Sequence, residues 1–185
     1  MVDDVISRAE ERMQKSIEAT ARELARIRTG KAAPSLLDGI RIDYYTNMVP
    51  ISQAATISVP EPRLIVIQPW EKKMIPEIVK AIMRSDLGLN PVAEGNVIRL
   101  PIPPLNEERR KELVKLVKNV VEEGRVAVRN IRRDSNEQLK KAEKAKEISE
   151  DERHRTAENV QELTDEYIAE LDEMLERKEK EIMEV

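Results

Sequence analysis

The sequence predicts an α+β protein. Its body is a long antiparallel three-helix bundle made from both ends of the chain, residues 1–30 and 105–185, with a small and mostly β α/β domain inserted at 31–104. Three observations predict this. All ten prolines fall between Pro34 and Pro104, and four of the five glycines lie between Gly30 and Gly95, so the helix breakers are confined to the middle. Outside that window the apolar residues recur at helical spacing. Aromatics make up only 2% and charged residues 37%, a profile of long helices rather than a sandwich or barrel. At 185 residues the chain is long enough for a proper core.

The first helix is expected from about Asp3 to Thr29. Ile6, Met13, Ile17, Leu24 and Ile27 keep helical spacing, Asp3 and Asp4 suit the positive end of the dipole, and Gly30 stands where a helix stops. In the insert, Gly39–Tyr45 alternates Ile40, Ile42 and Tyr44 against Arg41 and Asp43, a half-buried strand. Ala55–Val59, Arg63–Gln68 and Asn96–Ile102 are further strands. A helix at Ile75–Leu87 has Pro76 in its first turn, where proline is tolerated, and Gly88 at its end.

The long helix is expected from Asn106 to about Lys146. Asn106 caps it, and Glu107 and Glu108 occupy its first turn. Leu113, Val117, Val120, Gly124, Val128, Ile131, Ser135 and Leu139 form an apolar stripe. Lys111, Lys115, Lys118, Arg125, Arg129, Arg132, Arg133 and Lys140 form a basic one roughly 130° round. After a break near Glu147–Ser149, Ser149 and Glu152 make a capping box. Val160, Leu163, Tyr167, Leu171, Met174 or Leu175, and Ile182 carry the stripe of the last helix. The two short breaks favour internal pairing over an extended coiled-coil dimer. Two crossings join bundle and insert, at 29–31 and 101–106. Gly30 can absorb backbone rotation there and the prolines stiffen their own strand, which suits a hinge of restricted swing or a fixed elbow.

The net charge of −4 conceals an asymmetry. Residues 105–146 carry thirteen basic and eight acidic groups, whereas 147–185 carry five and fifteen. From Arg125 to Arg133 there are four arginines and no acid, although solvated helix faces normally interleave signs. Arginine suits bidentate phosphate contacts, and the absence of aromatics on this face argues against stacking on single-stranded bases. Backbone and shape recognition of structured RNA is the form of binding this pattern suits.

Other chemistry is missing. No 18-residue apolar run exists and the start of the chain is no signal peptide. The lack of Cys fits a reducing cytoplasm and excludes thiolate metal sites. The stretch TGKAAPS (Thr29–Ser35) fails as a phosphate loop at Ala25 and Ala32. The lone histidine, His154, has no second His or Cys to help it, and Ser35 and Ser52 lack a nucleophile context. No catalytic residue, metal site or cofactor is expected.

Several stretches together resemble the bacterial ribosome recycling factor family. They are RIRTGKAAPSLLDGIRIDYY (Arg26–Tyr45), KAIMRSDLGLNP (Lys80–Pro91), GNVIRLPIPPLNEERRKEL (Gly95–Leu113), RVAVRNIRRD (Arg125–Asp134) and KEISED (Lys146–Asp151). The resemblance implies an L-shaped, tRNA-like monomer of the cytoplasm that enters the post-termination ribosome and binds large-subunit ribosomal RNA through its bundle. Elongation factor G, using GTP, then pushes on the smaller domain so that the subunits separate. In the family the arginines of the R-V-A-V-R-N-[IV]-R-R motif contact ribosomal RNA. Arg125 opens that motif here, Arg129, Arg132 and Arg133 match it, and Arg28 and Arg110 stand in matching motifs with similar roles expected. Thr29, Gly30 and Lys31, with Pro103, Pro104 and Leu105, match the family's hinge. The turn after Tyr45 departs from the family's usual Gly-x-Pro-Thr-Pro, being Thr46-Asn47-Met48-Val49-Pro50, and Ala33 replaces the usual polar residue before Pro34. A helical adaptor whose arginines pair with an acidic protein partner is the alternative from another class.

Overall fold

The computed structural model describes residues Met1–Glu184; Val185, where the predicted bundle ends, lies outside the described residues. In chain order the elements are α1 (Val2–Ala25), β1 (Arg41–Tyr44), β2 (Asn47–Pro50), β3 (Ala55–Glu61), β4 (Leu64–Pro69), α2 (Ile75–Arg84), β5 (Val92–Glu94), β6 (Val97–Pro101), α3 (Glu107–Lys144) and α4 (Glu150–Met183). Single 3-10 turns stand at Pro34–Leu37, Ile51–Gln53 and Lys72–Met74. The chain separates into two compact units, one of Met1–Leu24 with Val114–Val185 and one of Ala25–Leu113. The α+β class, a helical bundle with a small β domain, is as the sequence predicts.

In the first unit the helices run antiparallel in sequence order, which side-chain pairings make plain. As residue numbers rise along α1, those of its α3 partners fall. Val5 clusters with Leu139 and Ala142, Arg12 donates to Asp134 at 2.9 Å, and Thr20 lies against Gly124. The α3–α4 pairings behave alike: Lys118 with Glu179, Arg125 with Asp172, Arg132 with Gln161, Arg153 with Glu143. Met13, Val117, Val121, Val128, Val160, Leu171 and Ile182 are wholly buried.

Three stripe positions need correction. Val121 is buried where Val120 was expected, Val5 where Ile6 was, and Thr164 where Leu163 was; each expected residue is only half-buried, one step of about 100° off the seam. Four hydroxyl residues also sit in this core, of which only Ser135 stood in the predicted stripe. Thr20, Ser135, Thr156 and Thr164 each donate to the carbonyl four residues back, at 2.7–3.0 Å, so burial leaves no hydroxyl unpaired.

Helix ends show which caps the sequence announced correctly. Asn106 Oδ1 accepts from the Arg109 N–H at 2.7 Å, and the Ser149–Glu152 capping box is present in both directions. Helix α1, however, stops at Ala25 rather than Thr29, because Ser35 Oγ donates to the Ala25 carbonyl at 3.1 Å; Gly30 is not its terminator. Helix α2 stops at Arg84 rather than Leu87, where both the N–H and the hydroxyl of Ser85 turn back on the Ile82 carbonyl. Helix α3 ends two residues short of Lys146, which adopts φ +59°. The Lys146 and Glu147 N–H groups bond to Glu143 and Ala142 carbonyls, and Ile148 packs onto Leu139 and Ala142. Lysine in the left-handed conformation costs about 1–2 kcal/mol that glycine would not. Lys146→Gly is therefore expected to raise stability by up to about 1 kcal/mol in urea unfolding, even after the extra chain entropy of glycine. A lower midpoint would contradict this account of the turn.

The second unit holds a two-stranded sheet, β1–β2, and a four-stranded antiparallel sheet in the order β3-β4-β6-β5. Ile65 and Ile67 of β4 and Ile98 and Leu100 of β6 alternate onto one face and are fully buried, in one cluster with Ile78 and Ile82 of α2. Strands β2 and β5 were not expected. Asn47–Pro50 shows no alternation and carries a proline, and Val92–Glu94 is three exposed residues long, so neither has a burial signature. The departing turn is a two-residue hairpin turn with Tyr45 and Thr46 at φ +51° and +67°. It is pinned: the Tyr45 hydroxyl donates to Glu71 at 2.6 Å and accepts from Lys73 at 2.9 Å.

Candidate nucleic-acid interface

The arginines at 125, 129 and 132 recur every four and three residues, so α3 presents them in one row with Arg133 beside it, over roughly 12 Å. They are not equally free. Arg125 is held by Asp172 Oδ1, at 2.9 Å from Nε and 2.5 Å from Nη2, and by Glu122 at 3.1 Å; its side chain is 20% exposed. Arg129 reaches the other oxygen of Glu122 at 3.2 Å. Hydrogen bonds from Arg125 and then Arg129 hold the Glu122 carboxyl below its ordinary range. Among the described residues Arg132 bonds only to a neutral acceptor, Gln161 Oε1, at 3.3 Å. Arg133 is exposed and has no partner among the described residues.

The row therefore contains two anchored arginines and two uncommitted ones. The acid-free run of sequence missed this, because Glu122 lies just before it and Asp172 and Gln161 come from α4. Glu122, three residues ahead of Arg125, was visible in principle. The α4 partners require the register between helices.

Arg28 and Arg110 belong to the other unit. Arg28 is half-buried, and desolvation first, then the charge of Arg109, pulls its guanidinium below the ordinary range. Arg109 is bonded to Glu112 at 2.9 Å, while Arg110 is half-buried with its Nε unpartnered. The predicted hinge residues lie in the same unit. Gly30 has φ +83°, and a Cβ there would meet Leu105 Cγ at 3.3 Å; Thr29 beside it is buried.

His154 is exposed beside Glu150, at 3.7 Å, and Arg153. Among the described residues no group of three or more His, Cys, Asp or Glu side chains is placed to hold a metal ion, and no helix is long and apolar enough to cross a membrane. Fold and surface together define a helical bundle protein with a small β domain and an arginine-bearing long helix.

Comparison with known proteins narrows that class. The ribosome recycling factor family model matches residues 20–183. A ribosome-recycling factor of Syntrophomonas wolfei is 57% identical, and one of Cupriavidus taiwanensis 58%, over all of this chain and 99–100% of each relative. A solution structure of the ribosome recycling factor matches with a TM-score of 0.82 and 48% identity, covering 100% of this chain and 98% of that one. The T. thermophilus ribosome recycling factor, in models with E. coli elongation factor G bound to the E. coli post-termination complex, matches with a TM-score of 0.71 and 45% identity over both whole chains. The chain belongs to the ribosome recycling factor family, a family of non-enzymatic translation factors.

Proposed function

We propose that this chain works with elongation factor G and GTP to disassemble the post-termination ribosome, as a cytoplasmic monomer that binds large-subunit ribosomal RNA through the arginine row of α3. The observation that carries the binding mode is the division within that row. Among the described residues Arg132 and Arg133 have no carboxylate to leave before meeting a phosphate, while Asp172 and Glu122 hold Arg125 and Arg129 in line with them. Arg129's pair with Glu122 is solvent-screened, so it exchanges readily for a phosphate. Arg28 and Arg110, in the other unit, are the further arginines of this reading. Family membership, and a relative placed with elongation factor G on the post-termination complex, support the partners.

The test is sedimentation with large ribosomal subunits over a range of salt. Binding is expected to fall by about 0.7–0.9 log units per log unit of salt for each phosphate neutralised. Protein that stays at the top of the gradient at low and high salt alike would favour an adaptor for an acidic protein partner.

Thr29, Gly30 and Lys31 with Pro103, Pro104 and Leu105 form the hinge in this reading. Gly30→Val combines a disfavoured positive φ with a clash on Leu105, about 1–3 kcal/mol of strain that a shift of the crossing would relieve. Paired labels, one on each unit, are expected to report a changed distance distribution in Gly30→Val. Identical distributions in the two proteins would remove the hinge.

A further inference from the structure

Helix α4 turns one line of polar side chains toward the arginine row, and that line changes character at Arg132. Gln161, Asp165, Asp172 and Glu179 are spaced by four and then seven residues, so they share one face of α4. Two of them set the register against α3. Lys118 meets Glu179 and Arg125 meets Asp172, seven residues up one helix for seven down the other. Farther along, Glu143 meets Arg153, which keeps that register to within a residue. Seven residues on from Arg125, Arg132 therefore stands level with Asp165.

Lys118 and Arg125 each find a carboxylate at their own level, but Arg132 does not take the one at its level. Its Nη1 donates to Gln161 Oε1 at 3.3 Å, one turn along α4, and among the described residues no ion pair joins it to Asp165. The same amide occupies the acid instead, since Gln161 Nε2 donates to Asp165 Oδ1 at 2.9 Å. These two bonds use opposite ends of one side chain, and charge fixes which end goes where. A reversed amide would set Nε2 against a guanidinium and Oε1 against a carboxylate, donor facing donor and acceptor facing acceptor. Asp165 thus orients Gln161, and Gln161 stands between the acid and the arginine.

We infer that Gln161 is a positioning residue that insulates Arg132 from Asp165, keeping its guanidinium in the row and its charge available to a phosphate. Without the amide, Arg132 closes on Asp165 as Arg125 closes on Asp172. There Nε and Nη2 both reach one carboxylate oxygen, and the arginine is left only 20% exposed. This deepens the RNA-binding reading and rests on it, although the insulation itself is a property of the free protein.

The test therefore has one readout in the free protein and one on the ribosome. In Gln161→Ala the NMR signals of the Arg132 guanidinium are expected to shift, and its Nε–H to exchange more slowly with water. Both changes are expected to vanish when Asp165→Asn is added. In sedimentation with large ribosomal subunits, Gln161→Ala is expected to weaken binding about three- to fivefold, the worth of an exposed ion pair that must open first. Gln161→Glu, which puts a carboxylate directly on the arginine, is expected to weaken it at least as much. Asp165→Asn is expected to bring the Gln161→Ala protein back to within about twofold of wild type, a larger gain than it gives alone. Positions 161 and 165 are both exposed on α4, so these variants are expected to fold. The proposal is overturned if the Arg132 signals of Gln161→Ala match those of wild type. It is also overturned if Asp165→Asn raises affinity equally with and without Gln161, which is the effect of net charge alone. Wild-type protein that failed to bind large subunits would remove the RNA reading, and the guanidinium signals would still decide the insulation.

Discussion

Arg132→Glu combined with Arg133→Glu is expected to abolish sedimentation with large ribosomal subunits while leaving the protein folded. Arg132 gives up one long hydrogen bond to a neutral amide, and Arg133 gives up no partner among the described residues, so the folded state changes by no more than about 0.5 kcal/mol. Each charge-assisted contact to phosphate is worth about 1.5–3 kcal/mol, so two lost contacts weaken binding roughly 10²–10⁴-fold before repulsion is added. Arg125→Glu would be a poor substitute. It places three carboxylates together, with Asp172 and Glu122, and would disturb the α3–α4 contact as well as any RNA contact. Sedimentation of the Arg132/Arg133 double variant at wild-type levels would show that the α3 row is ordinary solvated surface.

Gly124→Val is expected to destabilise the bundle by about 3 kcal/mol, lowering its melting temperature by about 6–12 °C. A Cβ at 124 would stand 2.6 Å from Thr20 Oγ1 and 3.2 Å from Leu171 Cδ2, so three helices meet at the one position without a side chain. Thr20 cannot simply turn aside, because its hydroxyl is bonded to the Ser16 carbonyl at 3.0 Å. Alanine at this position gains about 1 kcal/mol of helix propensity, which offsets part of the crowding; valine gains less and adds two more methyl groups. Thr20→Ala in the same chain should recover part of the loss, since it removes the nearest clash. Gly124→Val at or above wild-type stability would contradict the close packing of α1, α3 and α4 at this level.

Gly124 also shows what the sequence could and could not reveal. Its place in the apolar stripe was legible, because helical spacing alone puts it among Val117, Val128 and Ile131. Its contacts were not, since they depend on which residues of α1 and α4 lie at the same height. The same division holds throughout. The Asn106 cap and the Ser149–Glu152 box act within one turn and were read from neighbours in sequence. The early stop of α1 depends on Ser35, ten residues away, and was missed. Strand β5 survives through pairing with β6 rather than through any pattern of its own. In the candidate site the arginines themselves were legible as a run without acids, whereas their inequality was not. Asp172 and Gln161 are visible as partners only once α4 is laid beside α3.

The most direct measurement follows light scattering from purified post-termination 70S complexes after adding this protein, elongation factor G and GTP together, and each combination with one omitted. Splitting into subunits is predicted only with all three present. Intact 70S particles in the complete mixture, or equal splitting without this protein, would contradict a recycling role.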